Sequence, residues 1–161
     1  MKEWIVKERR KGACMVLNFR GVAHPPPRRD GERDHSADLN AAEIATTNLG
    51  RGSGTKVLVE HDHDYRVGTV HSSWEGPDGS LRVYGTVTDP SAERMVRSGK
   101  MRGLSLGTSV IQDEHGGRMA AFQDELSICE DPRRGGCFID EVDGKRVRTV
   151  RRASKKGTAC R

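Results

Sequence analysis

Apolar residues in this 161-residue chain come in runs of a few positions, and glycine, proline or charged residues close almost every run. The 19 glycines and 6 prolines supply turns, so the chain reads as short strands joined by loops. Residues 13–23 read as a buried strand, ended by His24-Pro25-Pro26-Pro27-Arg28-Arg29-Asp30-Gly31. Residues 28–55 are polar and turn-rich, apart from a short helix near Ala37 to Ala45. Lys56 to Glu60 is a short apolar run. Arg66 to Ser72 and Leu81 to Thr88 suit strands, with a hairpin signal at Glu75-Gly76-Pro77-Asp78-Gly79 between them. Asp89 and Pro90 open a second helix as N-cap and first residue, Met95 and Val96 give its apolar side, and Gly99 stops it. Leu104 to Ile111, Met119 to Cys129, Cys137 to Val142 and Arg146 to Val150 are further strand candidates. The pattern predicts one domain, mainly β with a few helices (α+β), in the form of a small barrel or sandwich.

The hydrophobic fraction is 34%, so the core must be modest. Aromatics are only 4%, which argues against a surface built for base stacking. Net charge is +5, and much of the excess sits at the ends. Met1 to Arg10 is basic, and Lys145 to Arg161 holds eight basic and no acidic residues. Such a tail is either a solvated end or a nucleic-acid or nuclear-targeting patch. Cys14, Cys129, Cys137 and Cys160 show neither a CxxC pair nor zinc-finger spacing. No run approaches the roughly 20 apolar residues of a membrane span, and no signal peptide is visible. The expectation is an intracellular chain with reduced thiols.

Three islands carry the chemistry: Val59-Glu60-His61-Asp62, Gly103-Leu104-Ser105-Leu106-Gly107 and Asp124-Glu125-Leu126-Ser127-Ile128-Cys129. They supply a base, a serine between glycines and a carboxylate, which are the parts of a serine hydrolase. A serine hydroxyl is a weak nucleophile until a base takes its proton. The flanking glycines would let the backbone approach a substrate closely. A metal site is the competing reading of His61-Asp62-His63-Asp64, because histidines two apart on a strand share a face. His71 and His115 are candidate further ligands without supporting spacing. Glu125 and Asp124 compete for the carboxylate role. On a strand, Glu125 lies with Ser127 and Cys129, while Asp124 faces the other way.

Together, followed by Asp131-Pro132-Arg133-Arg134-Gly135-Gly136, the islands resemble the capsid maturation proteases: the herpesvirus assemblins and the phage prohead proteases. In assemblins a histidine precedes a Val-Gly pair by a fixed short interval. His61 stands seven residues before Gly68, which fits, and His63 stands five before it, which does not. Gly103 to Leu106 is similar to the assemblin nucleophile stretch and to the Gly-Leu-Ser-Ile-Gly of prohead proteases. The assemblin third member is a second histidine. Here the matching place holds Glu125, as in the phage enzymes, and a glutamate can equally orient the imidazole. The paired Arg133 and Arg134 lean toward the herpesvirus side, and the branch stays open.

The resemblance implies a closed β-barrel with helices around it. Its boundaries would be a basic segment at 1–12, a protease domain at 13–152 and a basic tail at 153–161. It implies a serine endopeptidase with Ser105 as nucleophile, His61 as base and Glu125 orienting it. The oxyanion hole would use the Arg133 backbone N–H and a water held by Arg134. The substrates would be capsid scaffold protein and the chain itself, cut between Ala153 and Ser154 in Val150-Arg151-Arg152-Ala153-Ser154. It further implies a homodimer that meets the major capsid shell indirectly, with no cofactor, metal or membrane, and with nucleic acid an improbable partner. Its place would be the assembling procapsid, in the host nucleus or the bacterial cytoplasm according to branch. The rival is a non-enzymatic basic module that binds nucleic acid through its ends. It explains the charge and leaves the islands without a role.

Overall fold

The structure, a computed structural model, describes residues 16–28 and 37–148. The elements run β1 (Leu17–His24), α1 (Ala41–Thr46), β2 (Thr55–Val59), β3 (Arg66–Glu75), β4 (Leu81–Val87), α2 (Pro90–Ser98), β5 (Gly103–Gln112), β6 (Arg118–Cys129), β7 (Ile139–Val142) and β8 (Lys145–Arg146). All eight strands join one sheet in the order β5-β6-β2-β3-β4-β1-β7-β8. β2 and β6 are parallel, and the other neighbours are antiparallel. The expected mainly β chain with two helices is what forms. The proposed terminal segments at 1–12 and 153–161, and with them Ala153 and Ser154, lie outside the described residues.

The alternation of apolar residues decides which face is core. In β4 it is regular, burying Leu81, Val83, Gly85 and Val87 on one side. Leu17 and Phe19 of β1, Val57 of β2, Leu104 of β5, Leu126 and Ile128 of β6 and Ile139 of β7 pack into the same cluster. Each such side chain contributes about 1.5–3 kcal/mol by leaving water. Helix α2 adds Ala92 and Val96 to it. Its ends are as expected: the Asp89 carboxylate accepts the Ala92 N–H at 2.8 Å, and Gly99 stops it in the left-handed region. Helix α1 is shorter than predicted. Asn40 caps it in a reciprocal box with Glu43, and Asp38 and Leu39 are engaged in tertiary contacts instead.

The expected closed barrel is corrected. The sheet curls until the start of β5 meets the segment before β7, where Gly103 bridges Phe138. Leu104 N–H reaches Cys137 O at 2.9 Å and Ile139 N–H reaches Arg102 O at 2.8 Å. Among the described residues the ladder goes no further. β7 spans four residues against ten in β5, so it cannot zip along that strand. Beyond Gly107, β5 runs on with β6 as a two-stranded ribbon. The strand expected at Arg146 to Val150 is reduced to two residues at Lys145–Arg146. Its last two positions lie outside the described residues.

Candidate active site

Strand β6 lies between β5 and β2, so two of the three islands are neighbours by register alone. Ser105 sits opposite Ser127 and Gly107 opposite Glu125. Leu58 of β2 pairs with Ser127 from the other side. The two-residue period of a strand then puts Ser105, Gly107, Glu125 and Ser127 on one face. Leu104, Leu106, Leu126 and Ile128 point into the core.

His61 arrives from a strained turn rather than a strand. β2 ends at Val59, and Glu60 and His61 both take left-handed backbone, with φ of 49° and 58°. For residues carrying a Cβ this costs roughly 1–2 kcal/mol each. Hydrogen bonds offset it. Glu60 N–H reaches Ile128 O at 3.0 Å and Asp62 N–H reaches Val59 O at 2.9 Å. His61 N–H donates to Ser127 Oγ at 2.9 Å. The interval to Gly68 has a physical basis. Gly68 pairs with Val57 of β2 and Val87 of β4, and a Cβ there would stand 1.9 Å from Thr86 O, so glycine lets β3 lie close on β4 where it also pairs with the strand leading into the turn. The strand geometry that the metal reading requires is not formed: His61 and His63 both lie in a turn, where Asp62 accepts the Asp64 N–H at 2.9 Å and His63 is exposed.

The imidazole bridges the other two islands. Its Nδ1 hydrogen-bonds Glu125 Oε1, and its Nε2 stands 2.9 Å from Ser105 Oγ. A carboxylate only accepts, so Nδ1 carries the proton and Nε2 presents its lone pair to the serine hydroxyl. Glu125 is 2% exposed, where an unpaired carboxylate would be costly. It has a second donor: the Ser127 hydroxyl gives its proton to Oε2 at 2.8 Å, while Ser127 Oγ accepts from His61 N–H. Asp124 does not take part in this set, and hydrogen-bonds Ser109 on the ribbon.

The glycines beside Ser105 make room for groups of the chain itself. A Cβ on Gly107 would stand 2.3 Å from Glu125 Oε1, so this glycine makes room for the carboxylate. A Cβ on Gly103 would stand 2.8 Å from the Pro132 ring, where the arginine-bearing loop packs on β5.

Ser105 and His61 open into a cleft of about 460 Å³ that Glu60, Cys129, Asp131, Arg133 and Arg134 also line. Arg133 is exposed. Arg134 is buried, with its Nε donating to Asp38 Oδ1 at 2.7 Å, so this segment is more than a solvated basic turn. Burial pushes the Cys129 thiol up to about 12, which keeps it protonated and a poor nucleophile at neutral pH. The other metal-ligand candidates do not gather here. His71 bonds Thr86 Oγ1 at 2.9 Å, and His115 sits beside Glu114 in solvent. Among the described residues no group of three His, Cys, Asp or Glu side chains could hold a metal ion. None of the helices among those residues is long and apolar enough to cross a membrane. Two residues of the site were not singled out from sequence. Ser127 had a signal, as a lone polar residue two positions beyond Glu125 in an apolar run. Asp38 had none, standing 96 residues before Arg134.

No protein-family model and no curated protein sequence matches the chain. Solved structures do. The protease of Kaposi's sarcoma-associated herpesvirus, in complex with a hexapeptide phosphonate inhibitor, superposes with a TM-score of 0.55 at 16% identity, over 78% of this chain and 64% of that one. The varicella-zoster virus protease gives 0.53 at 15%, over 78% and 64%. A second structure of the first enzyme, bound to a dimer disruptor, gives 0.52 at 16%, over 78% and 75%. The chain thus shares the herpesvirus protease fold while spanning 64% of the length of the first two.

Proposed function

We propose that this chain is a serine endopeptidase that cuts capsid scaffold protein, and itself, during viral procapsid assembly. The observation that carries the reading is a single imidazole held between a buried carboxylate and a serine hydroxyl, His61 between Glu125 and Ser105. In this reading Ser105 Oγ attacks the scissile carbonyl while His61 Nε2 takes its proton. The imidazolium is stabilised by Glu125, and its proton passes to the leaving amine. Water, activated by the same His61, then hydrolyses the acyl-enzyme. The tetrahedral oxyanion would be met by the Arg133 backbone N–H and by a water on Arg134. Such donors are worth about 2.7–4 kcal/mol of barrier each. The herpesvirus fold supports the protease class, and the neighbour solved with a dimer disruptor supports a homodimer. The enzyme would act inside the assembling procapsid and meet the major capsid shell only through it. The compartment would be the host nucleus or the bacterial cytoplasm according to branch.

Labelling with a serine-directed peptidyl phosphonate tests the reading. The intact chain should gain one adduct, mapping to the peptide that holds Ser105, and Ser105→Ala should gain none. A labelled Ser105→Ala variant, or an intact chain that stays unlabelled and cuts no peptide, overturns it.

A further inference from the structure

We infer that Asp38 is a positioning residue for the cleft, fixing the Arg134 guanidinium in the cavity that Ser105 also lines; this rests on the endopeptidase reading above. Asp38 belongs to a strap, Ala37 to Leu39, that no strand or helix includes. The strap is tied down on two sides. Arg118, at the start of β6, donates to Asp38 O at 2.8 Å and holds Glu43 of α1 at 2.7 Å. His24, at the end of β1, accepts the Leu39 N–H on Nε2 at 3.0 Å and bonds Pro25 O through Nδ1 at 2.7 Å. The backbone on both sides of the Asp38 side chain is therefore fixed by buried or half-buried partners.

What that carboxylate holds is Arg134. The ion pair is 2.7 Å long, with side chains 7% and 15% exposed. Among the described residues this is the one hydrogen bond of the guanidinium. A planar fork anchored at Nε has its plane set, and its terminal N–H groups stay available to the cleft that Arg134 lines. A charged, half-dry anchor of this kind holds geometry better than a surface pair, because screening is weak there. Arg133, next in sequence, is exposed, so the strap selects one arginine of the pair for a fixed place.

The test is a double-mutant cycle on Asp38 and Arg134 in the full chain, read as kcat and KM on a peptide containing Val-Arg-Arg-Ala-Ser, with thermal midpoints alongside. Asp38→Asn should lower kcat by about 10- to 100-fold and leave KM within about threefold. Arg134→Gln should do the same. Asp38→Asn added to Arg134→Gln should cause no further loss, since nothing remains to be positioned. Should Asp38→Asn fail to fold, Asp38→Glu takes its place, with a smaller loss that again vanishes in the Arg134→Gln background. Equal losses in both backgrounds, or no loss in either, overturn the inference. Phosphonate labelling of the intact chain separates the two ideas. A labelled, active chain indifferent to Asp38→Asn removes only the role of Asp38. A chain that neither labels nor cuts removes the endopeptidase reading, and this inference with it.

Discussion

Replacing Gly107 by alanine puts a methyl carbon 2.3 Å from Glu125 Oε1, the oxygen that hydrogen-bonds His61. An ordinary contact begins near 3.4 Å, so the carboxylate must retreat by about 1 Å. The backbone has no reason to move first. Gly107 is not in the left-handed region, and it stays paired opposite Glu125, with the register shift falling after it. The flexible end of Glu125 therefore gives way, and the Nδ1 bond is lost or bent. Misplacement of a catalytic group by about 1 Å costs on the order of 10²-fold, or about 2.7 kcal/mol of barrier. Folding should weaken by about 1–3 kcal/mol, because the displaced carboxylate stays buried with one donor fewer. The expected variant is a folded protein, with a lowered thermal midpoint, whose kcat/KM on a scaffold-type peptide falls about 100-fold. In a Glu125→Gln background, itself about 10²- to 10⁴-fold impaired, the same change should add little, because the carboxylate is already gone. Activity within threefold of the parent, or full additivity with Glu125→Gln, would refute the assignment of Glu125 to His61.

Three other outcomes are expected. Ser127→Ala removes the acceptor for His61 N–H and a donor to Glu125; stability should fall by about 1–3 kcal/mol in urea unfolding, with a loss of turnover that a plain cavity at this small residue would not produce. His24 is buried, and burial lowers its pKa below 6.5 in the folded chain. The unfolded chain then takes up the proton first, so its contribution is fully present above about 6.5 and is lost as pH falls from there toward the lowered value. Unfolding midpoints should drop from pH 7.5 to pH 5, and less so in His24→Gln; the Ser80 hydroxyl on Asp78 and the Asn18 backbone N–H on Asp143 hold those carboxylates below 3.8, outside this window. Mass spectrometry of the purified chain should show loss of Ser154 to Arg161, absent in Ser105→Ala; loss from both, or from neither, removes Ala153–Ser154 as the self-cleavage site.

The strands around the site were legible because each holds a short apolar run bounded by turn or charged residues; regular period-two burial shows in β4, while β2 buries Val57, Leu58 and Val59 in succession. The helix at α2 was legible because Asp89, Pro90 and Gly99 are local signals, acting within one turn of the chain. Register gave more than periodicity could. The resemblance points to Glu125, the strand period sets Asp124 on the opposite face, and the structure has Glu125 against the His61 imidazole and Asp124 against Ser109. The failures have tertiary causes. Closure of the barrel depends on whether β7 is long enough to pair with β5, which sequence patterning does not encode. The turn at His61-Asp62-His63-Asp64 is not legible, because nothing local announces two left-handed residues without glycine. Such strain persists only where Ile128 O and Ser127 Oγ receive the freed N–H groups.

In the proposed reading a glutamate stands where the assemblin pattern has a second histidine, which changes what the rest of the site must supply and joins the features that looked separate in sequence. A histidine as third member is neutral and can be buried with one partner. A carboxylate 2% exposed needs donors for both oxygens and space for its charge to approach the base. This chain supplies the His61 Nδ1–H to one oxygen and the Ser127 hydroxyl to the other. It gains the space by having no side chain at Gly107, the residue directly opposite on β5. Gly-Leu-Ser-Leu-Gly on one strand and Glu-Leu-Ser on its neighbour are therefore two halves of one packing solution. Ser105 and Ser127 pair across the ladder, so the acid and its glycine fall in register two residues away. A chain with a histidine at position 125 would keep the Ser127 hydroxyl only as the acceptor for the His61 backbone N–H, without its second role as donor to a carboxylate.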